Sequence, residues 1–273
     1  MIKRKGQLYW DDKITTLSND DFSLMLDEKT NTIRYNSALS FFSSLREKIE
    51  PSLFKDFQWL KMEYTVPYFA DLVFRFKNKV FAVIFVKKEK DGLLNRTCTI
   101  EMSLETCRKN NLIPSLMVFN DNGDILNLTN NKYALLNGYK YYEEGLIEEV
   151  DPEKIATDDF ASLSEWELYN TSVMAIVENL YNKEKITQIL YQTFMGVDPA
   201  ICWIDNDNVF NWMVIRTVKE RDLKPEEPKE LLEKISTNQG KGHYGLCEIS
   251  NPYAPNVFPR GQKFDLKFEI IDL

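Results

Sequence analysis

The chain has 273 residues, of which 44% are hydrophobic and 13% aromatic, so a sizeable core can be buried and disorder of the whole chain is excluded. Its net charge of −8 opposes binding to phosphate backbones and to anionic lipid. No apolar run reaches the length of a membrane-spanning helix, and the first residues lack the apolar region of a secretory signal. We therefore expect a cytoplasmic protein with no membrane and no nucleic-acid partner.

The apolar pattern of the first half predicts a small sheet with covering helices. Apolar residues on both sides of a polar turn predict a hairpin over residues 22–35, and helical spacing predicts helices over 36–49 and 52–60. Two strands follow at 69–76 and 80–86, joined by a tight turn. Because nearly every residue of the second strand is apolar, we expect it to be central in its sheet.

The rest of this half continues the same pattern. A helix is predicted over 99–110 and a buried strand over 116–119. Asn122-Gly123 is typical of a hairpin turn, here leading into residues 125–128. The acidic stretch 139–159 then predicts the division of the chain into halves, 1–150 and 151–273.

The second half opens with the strongest helical pattern of the chain. Ser162-Leu163-Ser164-Glu165 fits a capping box, and apolar residues recur at helical spacing as far as Leu180. Further elements are predicted as helices over 183–194 and 228–236, and as strands over 200–204, 209–218, 244–249 and 263–271. The last strand alternates apolar and charged residues, so one of its faces should be buried.

Both halves contain a hairpin, a helix and a strand in the same order. Asn78-Lys79-Val80-Phe81 can be aligned with Asp207-Asn208-Val209-Phe210, which places Lys87 opposite Arg216 and Leu116 opposite Leu246. Asn120 and Asn251 each follow the final strand of the unit. We therefore expect an α+β fold of two similar-sized lobes, each a small mixed sheet with covering helices, built from a duplicated ββαβ unit. Similar strand composition in unrelated hairpins would give the same alignment.

Asp71 opens the first strand of the hairpin at 69–86, and Lys87 ends the second. This order resembles the core of the PD-(D/E)XK nucleases, a resemblance of about sixty residues that rests on topology. It implies that carboxylates would hold Mg²⁺ and that the lysine would assist the attacking water. No acid precedes Lys87 by two residues, where that pattern requires one, so the resemblance implies a diverged, inactive relative. An active site would need Asp71 and Lys87 to meet a second acid, Glu63 or Glu101.

His243, the only histidine, is the remaining catalytic candidate, because beside Tyr244 it could serve as a general base. A single histidine with no obvious carboxylate or nucleophile partner favours a surface or strand-edge role. A single histidine excludes a histidine-rich zinc site, and the four scattered cysteines favour free, buried thiols. We expect no metal and no cofactor.

Three polar or aromatic clusters have plain structural interpretations. Residues 205–208 lack the glycine and the fifth ligand of a calcium loop, which favours a hairpin turn. Residues 240–242 lack the spacing of a Walker loop, which favours a flexible loop. The tyrosines at 139, 141 and 142 could stack on a base or sugar, but a half-buried edge strand is the preferred interpretation.

Together these features favour a non-catalytic cytosolic protein that binds another protein, as an accessory or immunity-type factor. The acidic surface suits a basic partner, and aromatic side chains suit interface anchors. The alternatives are a diverged nuclease-like fold and a sensor whose small ligand binds between the lobes. The sequence leaves the oligomeric state open.

Overall fold

The computed structural model describes residues 7–10, 13–16, 56–61, 69–90, 92–95, 100–129, 133–183, 186–219, 240–254 and 257–272. The chain divides into two lobes. The first lobe comprises Asp21–Tyr64 and Phe69–Ala161, and the second comprises Met1–Asp20, Thr65–Tyr68 and Ser162–Leu273. The earliest described strands, β1 (Gln7–Trp10) and β2 (Lys13–Thr16), belong to the second lobe.

Within its described residues, the first lobe contains a mixed sheet and three helices. Its elements are β3 (Phe57–Lys61), β4 (Leu72–Phe76), β5 (Lys79–Lys88), β6 (Leu94–Asn95), α1 (Ile100–Lys109), β7 (Ile113–Phe119), β8 (Leu135–Asn137), α2 (Gly138–Glu144) and α3 (Pro152–Ile155). The strand order is β3-β4-β5-β7-β8, with β6 added beside β5. Only β5 and β7 run parallel among these neighbours, because α1 carries the chain back to the same end of the sheet.

The centre of this sheet confirms the predicted buried strand. Residues 80–86 of β5 are all buried, and β4 and β7 lie on either side of it. The Phe74 and Phe81 rings stack across the β4–β5 pair with centroids 4.9 Å apart. A run that is apolar on both faces can be accommodated only inside a covered sheet, which explains its central position.

The second lobe repeats this plan with a longer helix. Its remaining described elements are α4 (Glu165–Lys183), β9 (Ile186–Tyr191), β10 (Val197–Asp198), β11 (Ile201–Asp205), β12 (Phe210–Lys219), β13 (Lys241–Ser250) and β14 (Asp265–Asp272). The large sheet has the order β14-β13-β12-β11-β9, and a small sheet has the order β10-β1-β2. Val173, Ile176 and Leu180 of α4 pack on the large sheet in one apolar cluster with Met213 and Ile215.

The two large sheets share strand order and direction. The series β3-β4-β5-β7-β8 and β9-β11-β12-β13-β14 both have a parallel third pair and otherwise antiparallel neighbours. Thus the α+β fold of two similar lobes is confirmed.

The strand register corrects the residue alignment within this shared plan. Asp71 donates its backbone N–H to Val83, and Ala200 donates likewise to Met213, so these positions correspond. From there the register aligns Arg216 with Val86, not with Lys87. It also aligns Leu116 with Tyr244, not with Leu246. The likeness therefore lies in the backbone plan, and descent from one duplicated unit stays a prediction.

Two predicted helices prove to be strands in the described residues. Residues 57–60, expected at the end of a helix, form β3, and Phe57 and Trp59 pack on the first-lobe core. Residues 186–191, also expected to be helical, form β9. Ile186 and Ile189 both pack on the second-lobe core although they are three residues apart, because the register shifts beside β11. The bulge therefore places Ile186 and Ile189 on one face at a spacing of three residues, which is also the spacing along one face of a helix.

Smaller corrections concern turns and caps. The turn after Asn120 forms, but it leads only to a single bridge between Phe119 and Ile125 and not to a strand over 125–128. The tyrosines at 139, 141 and 142 lie in helix α2, not in an edge strand, because Asn137 caps a helix start there. The capping box consists of Ser164 and Glu167, two residues after the predicted pair. The elements predicted over 22–49 and 228–236 lie outside the described residues.

Candidate functional site

Asp71 lies immediately before β4 and is buried. Its Oδ2 accepts a hydrogen bond of 2.6 Å from the backbone N–H of Phe85 on β5. Its own N–H donates to Val83 O at 2.8 Å. The residue is therefore bound to the central strand through both its side chain and its backbone, a structural role for this carboxylate.

Lys87 lies two residues beyond Phe85, so the two side chains leave β5 on the same face. Its Nζ is 2.6 Å from Asp121 Oδ1 and 3.7 Å from Glu89 Oε2. The hydrogen bond with Asp121 raises the pKa of Lys87. Asp121 follows the parallel strand β7, so the lysine joins the ends of the two central strands.

Phe85 occupies the position that the nuclease-like pattern assigns to its second acid. Its side chain is 1% exposed and belongs to the core cluster that includes Leu72 and Met117. Glu101 lies in the first turn of α1 and is exposed, and Glu63 lies outside the described residues. Across the described ranges no three histidine, cysteine, aspartate or glutamate side chains are close enough to hold a metal ion.

His243 lies on β13 in the second lobe, and both of its ring nitrogens have partners. Nδ1 is 2.8 Å from Asp272 Oδ1 on β14, and Nε2 is 3.1 Å from Asn211 Oδ1 on β12. The ring centroid of Trp203 is 4.8 Å from that of the imidazole. The carboxylate partner was missed from the sequence because Asp272 is 29 residues away. The histidine thus links three adjacent strands.

The Asn211 side chain is itself fixed in orientation. Its Nδ2 donates to Val209 O at 2.9 Å and to Asp205 Oδ2 at 3.3 Å, which leaves Oδ1 to accept from His243. The Asp205 carboxylate also accepts the backbone N–H groups of Asp207 and Val209, and the Val209 bond lowers the pKa of Asp205. Residues 205–209 therefore form the predicted hairpin turn.

Two further sequence features also have structural roles. Lys241 and Gly242 are the first residues of β13 and pair with β12, which corrects the expected flexible loop. Cys107 and Cys247 are buried free thiols, and burial raises the pKa of Cys247 to about 12. Cys202 is a half-buried free thiol, and Cys98 lies outside the described residues.

The chain's negative charge is concentrated in one stretch of the first lobe, residues 143–160, here named the acidic segment. It contains eight carboxylates and one lysine, a net charge of −7 within a chain whose total is −8. It also exposes three large apolar side chains: Leu146 is 52%, Ile147 is 56% and Phe160 is 69% exposed. A charge count along the sequence reveals this concentration, but only the structure shows that these apolar side chains are exposed.

Comparison with protein families, with curated proteins and with solved structures found no match. Among the described residues, no helix is both long and apolar enough to cross a membrane.

Proposed function

We propose that this chain is a non-catalytic protein-binding accessory factor of the immunity type. The supporting observation is the buried Phe85 between Asp71 and Lys87, where a metal-dependent nuclease of this topology would need a carboxylate. An aromatic ring provides no oxygen ligand for Mg²⁺. The position where a nuclease of this topology would bind metal is part of the hydrophobic core here.

Surface composition supports the binding half of the proposal. Large apolar side chains are exposed in the first lobe, among them Leu146, Ile147 and Phe160. Aromatic and branched apolar side chains of this kind are typical anchors of protein interfaces. Because they lie outside the cores of the lobes, they are free to contact a partner.

The proposal is tested by assaying the purified full chain for cleavage of single- and double-stranded DNA and RNA with Mg²⁺ or Mn²⁺. The matched variant is Lys87→Met, which removes the charge of a part-exposed side chain and keeps its length. We expect no metal-dependent cleavage above the level of the variant. Cleavage by the wild type that Lys87→Met abolishes would overturn the non-catalytic proposal.

A diverged nuclease-like protein is the second candidate. It is favoured by the contact between the Asp71 carboxylate and β5, two residues before Lys87. Calorimetry with Mn²⁺ distinguishes the two candidates independently of substrate choice. We expect that Mn²⁺ does not bind in a saturable way. Saturable Mn²⁺ binding that Asp71→Asn weakens would favour the second candidate.

A further inference from the structure

Seven consecutive residues of the acidic segment are exposed, Glu143 to Glu149. Their sequence is Glu-Glu-Gly-Leu-Ile-Glu-Glu, so a pair of branched apolar side chains is flanked by two glutamates on each side. Leu146 and Ile147 together leave apolar area exposed to water, and burying that area would have stabilised the lobe. The lobe's own core therefore does not account for them.

The backbone holds this apolar pair in a defined position. Gly145 adopts a left-handed conformation at the end of α2, with φ 70°, and its N–H donates to Tyr141 O. Leu146 N–H donates to Lys140 O at 2.9 Å. After the pair, Asn137 N–H donates to Glu148 O at 2.8 Å, which joins the loop to the end of β8. A surface fixed at both ends loses little conformational entropy when it is covered.

The charge around the pair selects the occupant. Lys77, Arg108 and Lys140 form ion pairs with the acidic segment, and including them still leaves a net charge of −4. That charge repels nucleic acid and anionic lipid. It also repels a second copy of this chain, whose matching surface carries the same sign. A basic protein surface is the complementary partner.

We infer that the acidic segment is the docking surface for a basic protein, with Leu146 and Ile147 inserted into an apolar pocket of the partner. This inference rests on the proposed binding function and adds the surface and the partner's chemistry. The glutamates on both sides would form the polar rim that excludes water around the two anchors.

The test uses a defined probe, a synthetic amphipathic helical peptide of lysine and leucine, titrated into the full chain by fluorescence anisotropy. We expect saturable binding that weakens as salt is raised, because the exposed charges are screened. Leu146→Ser with Ile147→Ser should weaken binding by at least about tenfold, the loss typical of central anchors. Glu148→Gln with Glu149→Gln should weaken binding at low salt and reduce its salt dependence.

Matched controls lie in the second lobe. Tyr253→Ser removes a side chain that is 92% exposed, and Glu269→Gln removes an exposed charge of β14. Both should leave binding of the probe unchanged. The inference would be overturned if polylysine, which lacks apolar side chains, bound as tightly as the probe. It would also be overturned if the Leu146/Ile147 variant bound the probe as the wild type does. Self-association of the wild type that this variant abolishes would likewise contradict it. None of these results changes the outcome of the cleavage assay, so the docking surface and the non-catalytic function can fail separately.

Discussion

Glu167 performs two structural tasks at the start of α4. Its carboxylate accepts the backbone N–H of Ser164 at 2.8 Å and completes the capping box. It also accepts hydrogen bonds from the Arg260 guanidinium, from Nε at 3.0 and 3.1 Å to its two oxygens and from Nη2 at 2.7 Å. The side chains of Glu167 and Arg260 are only 3% and 5% exposed. The helix start is therefore bound to the segment before β14 by a buried ion pair.

Removing one partner of this pair should be costly. Arg260→Met would leave the Glu167 charge buried without its counterion, and we expect the free energy of unfolding to fall by about 3–5 kcal/mol. Urea denaturation followed by circular dichroism measures the change. Adding Glu167→Gln to Arg260→Met should restore part of the loss, because the uncompensated charge is then gone.

The exposed pair Lys140–Glu144 provides the control for this prediction. Lys140→Met should change the free energy of unfolding by less than about 1 kcal/mol, the usual range for surface pairs. A similarly small effect of Arg260→Met would contradict the burial argument.

At the scale of elements, the sequence predicted the central strands and the alternating edge strand β14 well, but it assigned the edge strands β3 and β9 to helices. Residues 80–86 are apolar throughout, and a strand of that composition is stable only in the middle of a covered sheet, where both of its faces are buried. The edge strand β9 has mixed composition, and its bulge puts Ile186 and Ile189 on one face at a spacing typical of a helix. A register shift depends on how the strand pairs with its neighbour, and the local sequence of β9 carries no information about that pairing.

The predicted site divides in the same way. Asp71 and Lys87 were identifiable from their positions at strand ends, but the hydrogen bond from Phe85 to Asp71 depends on the register of β4 against β5. Likewise, Asp272 reaches His243 only through pairing of β13 with β14. Contacts across strands of large sequence separation could not be read from either residue's neighbours.

The pairing of β12 with β13 depends on the absence of a side chain at Gly242. This glycine lies opposite Trp212, and a Cβ built on it would lie 2.5 Å from Trp212 Cζ2. Because Trp212 is buried, its ring has little room to move. Gly242→Ala should therefore lower the free energy of unfolding by about 1–3 kcal/mol through overpacking.

Thermal denaturation of Gly242→Ala and of the neighbouring exposed control Lys241→Ala measures this effect. The control should unfold close to the wild-type temperature. Combining Gly242→Ala with Trp212→Leu removes the clash, so the double variant should lose less than the sum of the two single losses. Strict additivity would show that the close approach to Trp212 is not the cause.

At the scale of the whole molecule, the sequence indicated two sheets of one plan, and the strand order agrees. The agreement extends to the turns that follow the parallel strands β7 and β13. Asn120 Oδ1 accepts the N–H of Asn122 at 2.9 Å, and Asn251 Oδ1 accepts the N–H of Tyr253 at 3.0 Å. An asparagine that bonds the backbone two residues onward closes both turns, as its side chain favours.

The two turns differ in their access to water. Asn251 is 3% exposed and its Nδ2 also donates to Val257 O, whereas Asn120 is half-buried and its Nδ2 donates to Asp124. A buried group that loses its partner cannot turn to solvent instead. The same substitution should therefore cost more in the second lobe than in the first.

We expect Asn251→Ala to lower the free energy of unfolding by about 1–3 kcal/mol and Asn120→Ala by about 0.5–1.5 kcal/mol. Hydrogen exchange resolves the effect by lobe, since Asn251→Ala should speed exchange at the end of β13 and Asn120→Ala at the end of β7. Each variant serves as the other's control, because one lobe reports the change and the other supplies the reference. A larger loss from Asn120→Ala would contradict the burial argument, and would mean that the first turn supports its sheet more strongly than its exposure indicates.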